Sequence, residues 1–110
     1  MTVYDEVNNL ARAIRDSKEY KEYKEAKEEL MKTPDLKVKV DEFEKIRYEE
    51  QLLAMQGEQQ TAEKMKKLQE LYEILVNNPS IKEYFDKEVR FNVMIGDVNK
   101  IIGESIKDVL

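Results

Sequence analysis

The stretch KEYKEYKEAKEE, residues 18–29, decides how the rest of the chain is read. A Lys-Glu pair recurs every third residue, with Tyr20, Tyr23 and Ala26 between the pairs. Three readings compete: a solvated low-complexity run, a nucleic-acid-binding stripe with interleaved aromatics, and one face of a packed helix. A three-residue step advances about 300° around a helix, so the tyrosine column drifts by about 60° each time. The four-residue step from Ala26 to Leu30 turns the column back. Together with Met31, these residues stay within an arc of roughly 140°, and the charges take the remainder. The pairs Lys18–Glu22, Lys21–Glu25 and Lys24–Glu28 stand at i,i+4 in the less favourable orientation, and like charges meet at i,i+3, so charge adds little to helix stability. Packing of the Tyr-Ala-Leu edge must therefore hold the segment, which reads as an amphipathic helix.

The flanking sequence extends this reading in both directions. Val3, Val7, Leu10 and Ile14 are spaced by 4, 3 and 4, which predicts a first helix with one apolar seam. Asp16 followed by Glu19, or alternatively Ser17, caps the start of the second helix after a kink or short turn. Thr33-Pro34-Asp35 punctuates the chain next, since Pro is tolerated at the first helical position and poorly inside a helix. The third helix carries Leu36, Val40, Phe43, Ile46 and Leu53 and ends near Gly57, which suits a left-handed residue after a helix end. Thr61 is the expected cap of a fourth helix bearing Ala62, Met65, Leu68, Tyr72 and Leu75. Asn77-Asn78-Pro79-Ser80 closes that helix, and Ser80 with Glu83 forms a second S-x-x-E capping box.

The last helix is expected from Ser80 to near Leu110, with Ile81, Tyr84, Phe85, Phe91, Ile95, Val98, Ile102, Ile106 and Val109 as its apolar residues. Thirty helical residues span about 45 Å, whereas a domain of this length has a radius of gyration of about 13 Å. The helix is expected to overhang one protomer, and a second copy is the simplest cover. Phe91, Ile95, Val98, Ile102 and Ile106, with Gly96 and Gly103, are therefore the candidate oligomer interface, and a dimer is the expected assembly. Gly96 and Gly103 lie seven residues apart, two turns, so they share nearly one face and are read as a place of close helix–helix approach. Expected overall is an all-α bundle of about five helices with a long C-terminal helix, oligomeric, in a single domain over 1–110.

Composition agrees and excludes much else. Three Gly and two Pro leave little turn material, which disfavours a strand-rich fold. The charged fraction, 39%, exceeds the usual share of about 25%, so any core is narrow or shared with a partner. A net charge of −5 does not draw a phosphate backbone, so no nucleic-acid partner is expected. No apolar run approaches the roughly 18 residues of a membrane span. The opening residues MTVYDEVNNL are polar and acidic, unlike a signal peptide, and a cytoplasmic location without membrane contact is expected.

Candidate chemistry is sparse. The sequence has no His and no Cys, which removes the commonest general base, the thiolate nucleophile and the Cys and His metal ligands. No catalytic residue, cofactor or metal site is assigned. The many carboxylates follow outer helical faces and are read as solvated surface. GDVNKIIGES, residues 96–105, fails as a phosphate loop because six residues separate its glycines and no Gly-Lys-Ser/Thr follows. The tyrosines are read as core-edge residues with buried rings and wet hydroxyls. Met31, Met55, Met65 and Met94 are read as core filling ahead of an adaptable binding groove. Lys64, Lys66 and Lys67, diluted by Glu63 and Glu70, are a solvated face.

The order of these signals resembles the YlbF/YmcA family of small helical bacterial proteins, in particular its YheA-like branch. The carrying segments are LARAIRDSKEYKEYKEA (10–26), TPDL (33–36), DEFEKIR (41–47), QGEQQT (56–61) and NNPSIKEYFDKE (77–88). The resemblance covers nearly the whole chain and contains no catalytic signature. It implies an all-helical, oligomeric cytoplasmic protein without enzymatic activity. Members are associated with competence, biofilm formation and sporulation, and with modulating RNA processing through protein partners. Some carry cysteines linked to iron–sulfur clusters, a property this Cys-free chain does not share. The expected function is that of a non-enzymatic regulatory or adaptor protein acting through protein contacts. A nucleic-acid-binding module in RNA metabolism and a carboxylate- and metal-dependent enzyme are the alternatives, and the acidic balance and the missing ligand motifs speak against them.

Overall fold

The computed structural model describes residues 2–57 and 62–110. Five helices follow one another: α1 (Val3–Asp16), α2 (Lys18–Met31), α3 (Pro34–Met55), α4 (Ala62–Leu75) and α5 (Pro79–Ile106). A 3₁₀ turn at Lys107–Val109 follows, and there is no strand among the described residues. This is the all-α architecture with a long last helix that the periodicities predict. Thr61, the expected cap of α4, lies outside the described residues.

The chain divides into two compact units, residues 1–27 with 84–110, and residues 28–83. The unit boundaries fall inside α2 and α5.

The first unit holds α1, most of α2 and most of α5. Thr2 starts α1 with a reciprocal capping box: its Oγ1 accepts from the Asp5 N–H at 3.2 Å, and Asp5 Oδ2 accepts from the Thr2 N–H at 3.1 Å. Sequence reading missed this cap, although T-x-x-D just ahead of the apolar seam carries it. Between α1 and α2 only Ser17 leaves the helical conformation, at φ −68° and ψ 150°. Its hydroxyl donates to the Ile14 carbonyl at 2.5 Å and accepts from the Tyr20 N–H at 3.2 Å. One side chain thus serves both helix ends, and of the two predicted caps Ser17 is the one used. No residue of α1 is buried.

The second unit holds α3 and α4, with the end of α2 and the start of α5. Pro34 occupies the first turn of α3, as expected. Gly57 follows α3 with φ +76°, the left-handed conformation that a helix end of this kind requires. Leu30, Val40, Phe43, Leu75 and Ile81 are buried here. Each such side chain contributes about 1.5–3 kcal/mol by leaving water. The Phe43 ring meets Tyr72 at 6.0 Å, and the Arg47 guanidinium lies 5.4 Å from the Phe43 ring centre. The Ser80–Glu83 box is not the cap of α5. Asn78 is: its Oδ1 accepts from the N–H groups of Ser80 at 2.9 Å and Ile81 at 3.3 Å. Pro79 explains the shift, because Pro is preorganised for the first helical position and so places the cap one residue before itself.

The methionines depart from expectation. Met31, Met55 and Met65 are exposed by half or more, or nearly so, and only Met94 is half-buried. Each exposed one stands near a helix end, where few neighbours are available to cover it.

Candidate functional site

The sequence-predicted surface lies on α5 in the first unit, and its geometry is set by what α1 and α2 cover. A 100° step per residue places Phe91, Ile95, Val98, Ile102 and Ile106 within an arc of about 80° on one face of α5. Gly96 and Gly103 share a different face, about 100° away. A Cβ built on either glycine meets nothing within 4 Å. Among the described residues of one copy, no close helix–helix approach is therefore made at the two glycines, because they sit off the packed stripe.

The stripe itself is graded along its length. At its start, aromatic rings from α2 cover it. Tyr23 lies 5.3 Å from Phe91 and 5.6 Å from Tyr84, centre to centre, and Tyr20 lies 6.3 Å from Phe91. Tyr84 continues the contact to Phe85 at 5.6 Å. Tilted pairs at such distances add about 0.5–1.5 kcal/mol beyond area burial. Ile95 and Val98 are half-buried. Ile102 is 48% and Ile106 43% exposed, and every residue from 101 to 110 is exposed.

Polar groups frame the α2–α5 contact. The Tyr23 hydroxyl donates to Glu88 Oε2 at 3.3 Å, and Glu88 is buried. Glu50 on α3 is buried as well. These two correct the reading of all carboxylates as solvated surface. For Glu88 the reason is its place in the apolar period, four residues after Tyr84 and three before Phe91, where only a hydrogen-bonded carboxylate is tolerated. That placement was readable in the sequence. On the opposite edge of α2, Glu22 gathers three cations. Lys87 Nζ donates to Glu22 Oε2 at 3.1 Å, Arg90 Nη1 lies 4.0 Å from the same oxygen, and Lys18 Nζ lies 3.7 Å from Oε1. The Lys87 hydrogen bond, and then the charges of Lys87, Lys18 and Arg90, hold the Glu22 carboxyl below its ordinary pKa against an opposing desolvation.

Two concavities bear on function. A groove of about 380 Å³ between α1 and α5 is lined by Thr2, Val3, Glu6, Val7, Leu10 and Ile102. A smaller cleft of about 240 Å³ is lined by Tyr20, Tyr23, Lys24, Lys27 and Phe91. The tyrosines depart in part from the core-edge reading: Tyr20 and Tyr23 are half-buried, although the Tyr23 hydroxyl bonds the buried Glu88, whereas Tyr84 is fully buried and Tyr4, Tyr48 and Tyr72 are exposed. Among the described residues, no three His, Cys, Asp or Glu stand where they could hold a metal ion. No described helix is long and apolar enough to cross a membrane.

These features define a small all-helical protein whose concave surfaces combine aromatic and aliphatic side chains with charged rims. The family model described as "Control of competence regulator ComK, YlbF/YmcA" matches residues 3–107, and the chain belongs to this family. Curated relatives carry the name UPF0342 protein. The chain is 38% identical over 105 residues to one from Caldicellulosiruptor bescii, covering 96% of this chain and 88% of the relative. It is 38% identical over 111 residues to one from Desulfitobacterium hafniense, covering 100% of this chain and 89% of the relative. A solved structure described as a protein of unknown function (DUF964) from Bacillus stearothermophilus superposes with a TM-score of 0.81. At 16% identity, over 97% of this chain and 94% of that one, it shows a shared fold.

Proposed function

We propose that the protein is a non-enzymatic regulatory adaptor that self-associates through the open part of α5 and binds other proteins through its helical surfaces. One observation carries this reading: the apolar period of α5 continues where the chain no longer covers it. Ile102 and Ile106 face the same way as Phe91, yet stay exposed, and Val3 (76%) and Val7 (54%) of α1 are exposed beside the groove that Ile102 lines. Apolar surface gathered in this way marks an interaction site more often than a solvated face. Family membership supports the regulatory direction. Ile102 and Ile106 form the open centre of the proposed contact, bordered by the half-buried Ile95 and Val98 and by Phe91, which the α2 rings cover within one copy, with Gly96 and Gly103 on its flank, and a homodimer is the proposed assembly. We take residues 1–110 as one domain, since the boundaries of the two compact units fall inside continuous helices.

Light scattering after size exclusion tests the assembly. The wild-type chain is expected to exceed the 13.1 kDa of one copy at micromolar concentration. Ile102→Asp is expected to lower the mass, because it buries an unpaired charge in the contact. A wild-type monomer, or an unchanged mass in the variant, refutes the proposed surface.

A further inference from the structure

We propose that the cleft of Tyr20, Tyr23, Lys24, Lys27 and Phe91 is a docking site for an acidic peptide segment of a partner protein, one apolar side chain entering between the rings while neighbouring carboxylates meet the two lysines. The inference rests on the adaptor reading above and names the partner's chemistry.

Size decides first. At about 240 Å³ the cleft falls below the roughly 300–1,000 Å³ of small-molecule pockets, and it suits a single large side chain. Its floor is Phe91 with the two tyrosines, and Tyr23 is fixed by its hydrogen bond to Glu88, so the ring surface is preorganised.

Charge decides second. The charges of α2 are segregated across its packed stripe. On one edge, Glu22 gathers Lys87, Arg90 and Lys18. On the other, Lys24 and Lys27 stand one turn after Tyr20 and Tyr23, so each ammonium lies on the same side of α2 as a ring. Among the described residues neither lysine is within ion-pair distance of a carboxylate, and Glu28, one turn beyond Lys24, does not pair with it. The buried carboxylate nearest this edge in sequence period, Glu88, is engaged by Tyr23. The rim thus carries two ammonium groups against the one carboxylate of Glu88, and is locally cationic in a chain of net charge −5. An acidic segment gains there, and two ammonium groups beside an apolar cleft give register as well as attraction.

The test uses the full chain labelled with ¹⁵N and the probe peptide acetyl-Glu-Asp-Phe-Glu-Asp-Glu-amide. Amide shifts are expected to centre on Tyr20, Tyr23, Lys24, Lys27 and Phe91, and the affinity to fall as salt rises. Lys24→Glu with Lys27→Glu is expected to weaken binding by about tenfold or more, as loss of a close charge pair does. Lys24→Gln with Lys27→Gln, which keeps the helix, is expected to weaken it less. Replacing the probe's Phe by Ser is expected to abolish the shifts. Shifts elsewhere, equal affinity in both double variants, or equal binding of a Lys-for-acid version of the probe overturn the proposal, as does displacement of the probe by uridine monophosphate. The mass from light scattering separates the two ideas. If the probe fails while Ile102→Asp still lowers the mass, the cleft falls and the adaptor reading stands. If the Lys24 and Lys27 variants alter the mass, the cleft belongs to the contact between copies and the proposal falls.

Discussion

Along α5, residues 84–98 and residues 101–106 carry apolar side chains at the same helical spacing, but the first stretch meets the rings of α2 and the second is exposed throughout. Partner chemistry explains the difference. α2 offers two tyrosines on one edge, and each ring covers far more area than an aliphatic side chain. One glutamate of α2, Glu22, pairs with both Lys87 and Arg90 of α5, which helps to fix the crossing. α1 offers Val3, Val7 and Leu10, and buries none of its residues. The same stripe is therefore core at one end and open surface at the other. Periodicity reports that a face is apolar, and it says nothing about what covers that face.

The largest expected effect tests this contrast. Tyr84→Ala removes a side chain that is 3% exposed and touches two rings, and is expected to cost about 3 kcal/mol in urea unfolding. Ile102→Ala, at a concentration where copies separate, is expected to cost about 1 kcal/mol or less, because half of that side chain is already in water. At high concentration the Ile102→Ala penalty should grow, since the assembled form loses its contact. Equal penalties for the two variants at low concentration would break the comparison.

How much of this was legible in the sequence follows from the same physics. The amphipathic reading of residues 18–29 holds for four residues of the stripe, with Leu30 buried and Tyr20, Tyr23 and Ala26 half-buried, and fails for Met31, which falls in the same arc and is exposed. Pro34 and Gly57 mark their helix ends because their backbone preferences are local. Spacing shows that Gly96 and Gly103 share a face, but not what covers it, and within one copy that face is open. Burial of Glu88 was missed because charge outweighed position in the reading. The lysine-rimmed cleft was invisible, since Phe91 stands 68 positions beyond Tyr23 and only the fold brings them together.

A smaller effect separates the caps. Ser17→Ala and Asn78→Ala are each expected to cost about 1 kcal/mol, because each leaves helix N–H groups without an acceptor. Ser80→Ala is expected to stay within about 0.5 kcal/mol, as an exposed position outside the cap. Ser17 also bonds the end of α1, so its loss should loosen the helix that covers the second stretch of α5 least well. Amide exchange in residues 10–16 measures that loosening, and unchanged protection there would confine the Ser17 effect to α2.

The smallest effect is expected at Glu22. Its carboxyl is held below the ordinary range in the folded chain, chiefly by the Lys87 hydrogen bond. An unfolded Glu titrates near 4.3. The contribution is therefore complete above about that pH and is lost as pH falls through the lower folded value. Glu22→Gln should lower the urea midpoint at neutral pH, and the gap from wild type should close in acid. The side chain is 28% exposed, so added salt should narrow the gap as well. Glu104, which pairs with Lys107 at 3.3 Å on the exposed stretch, provides the control. Its conversion to Gln is expected to change the midpoint by no more than a few tenths of a kcal/mol, as for exposed pairs on one helix. A Glu22→Gln gap that widens in acid would mean that the cluster opposes folding, and α2 would then owe its place on α5 to the aromatic rings alone.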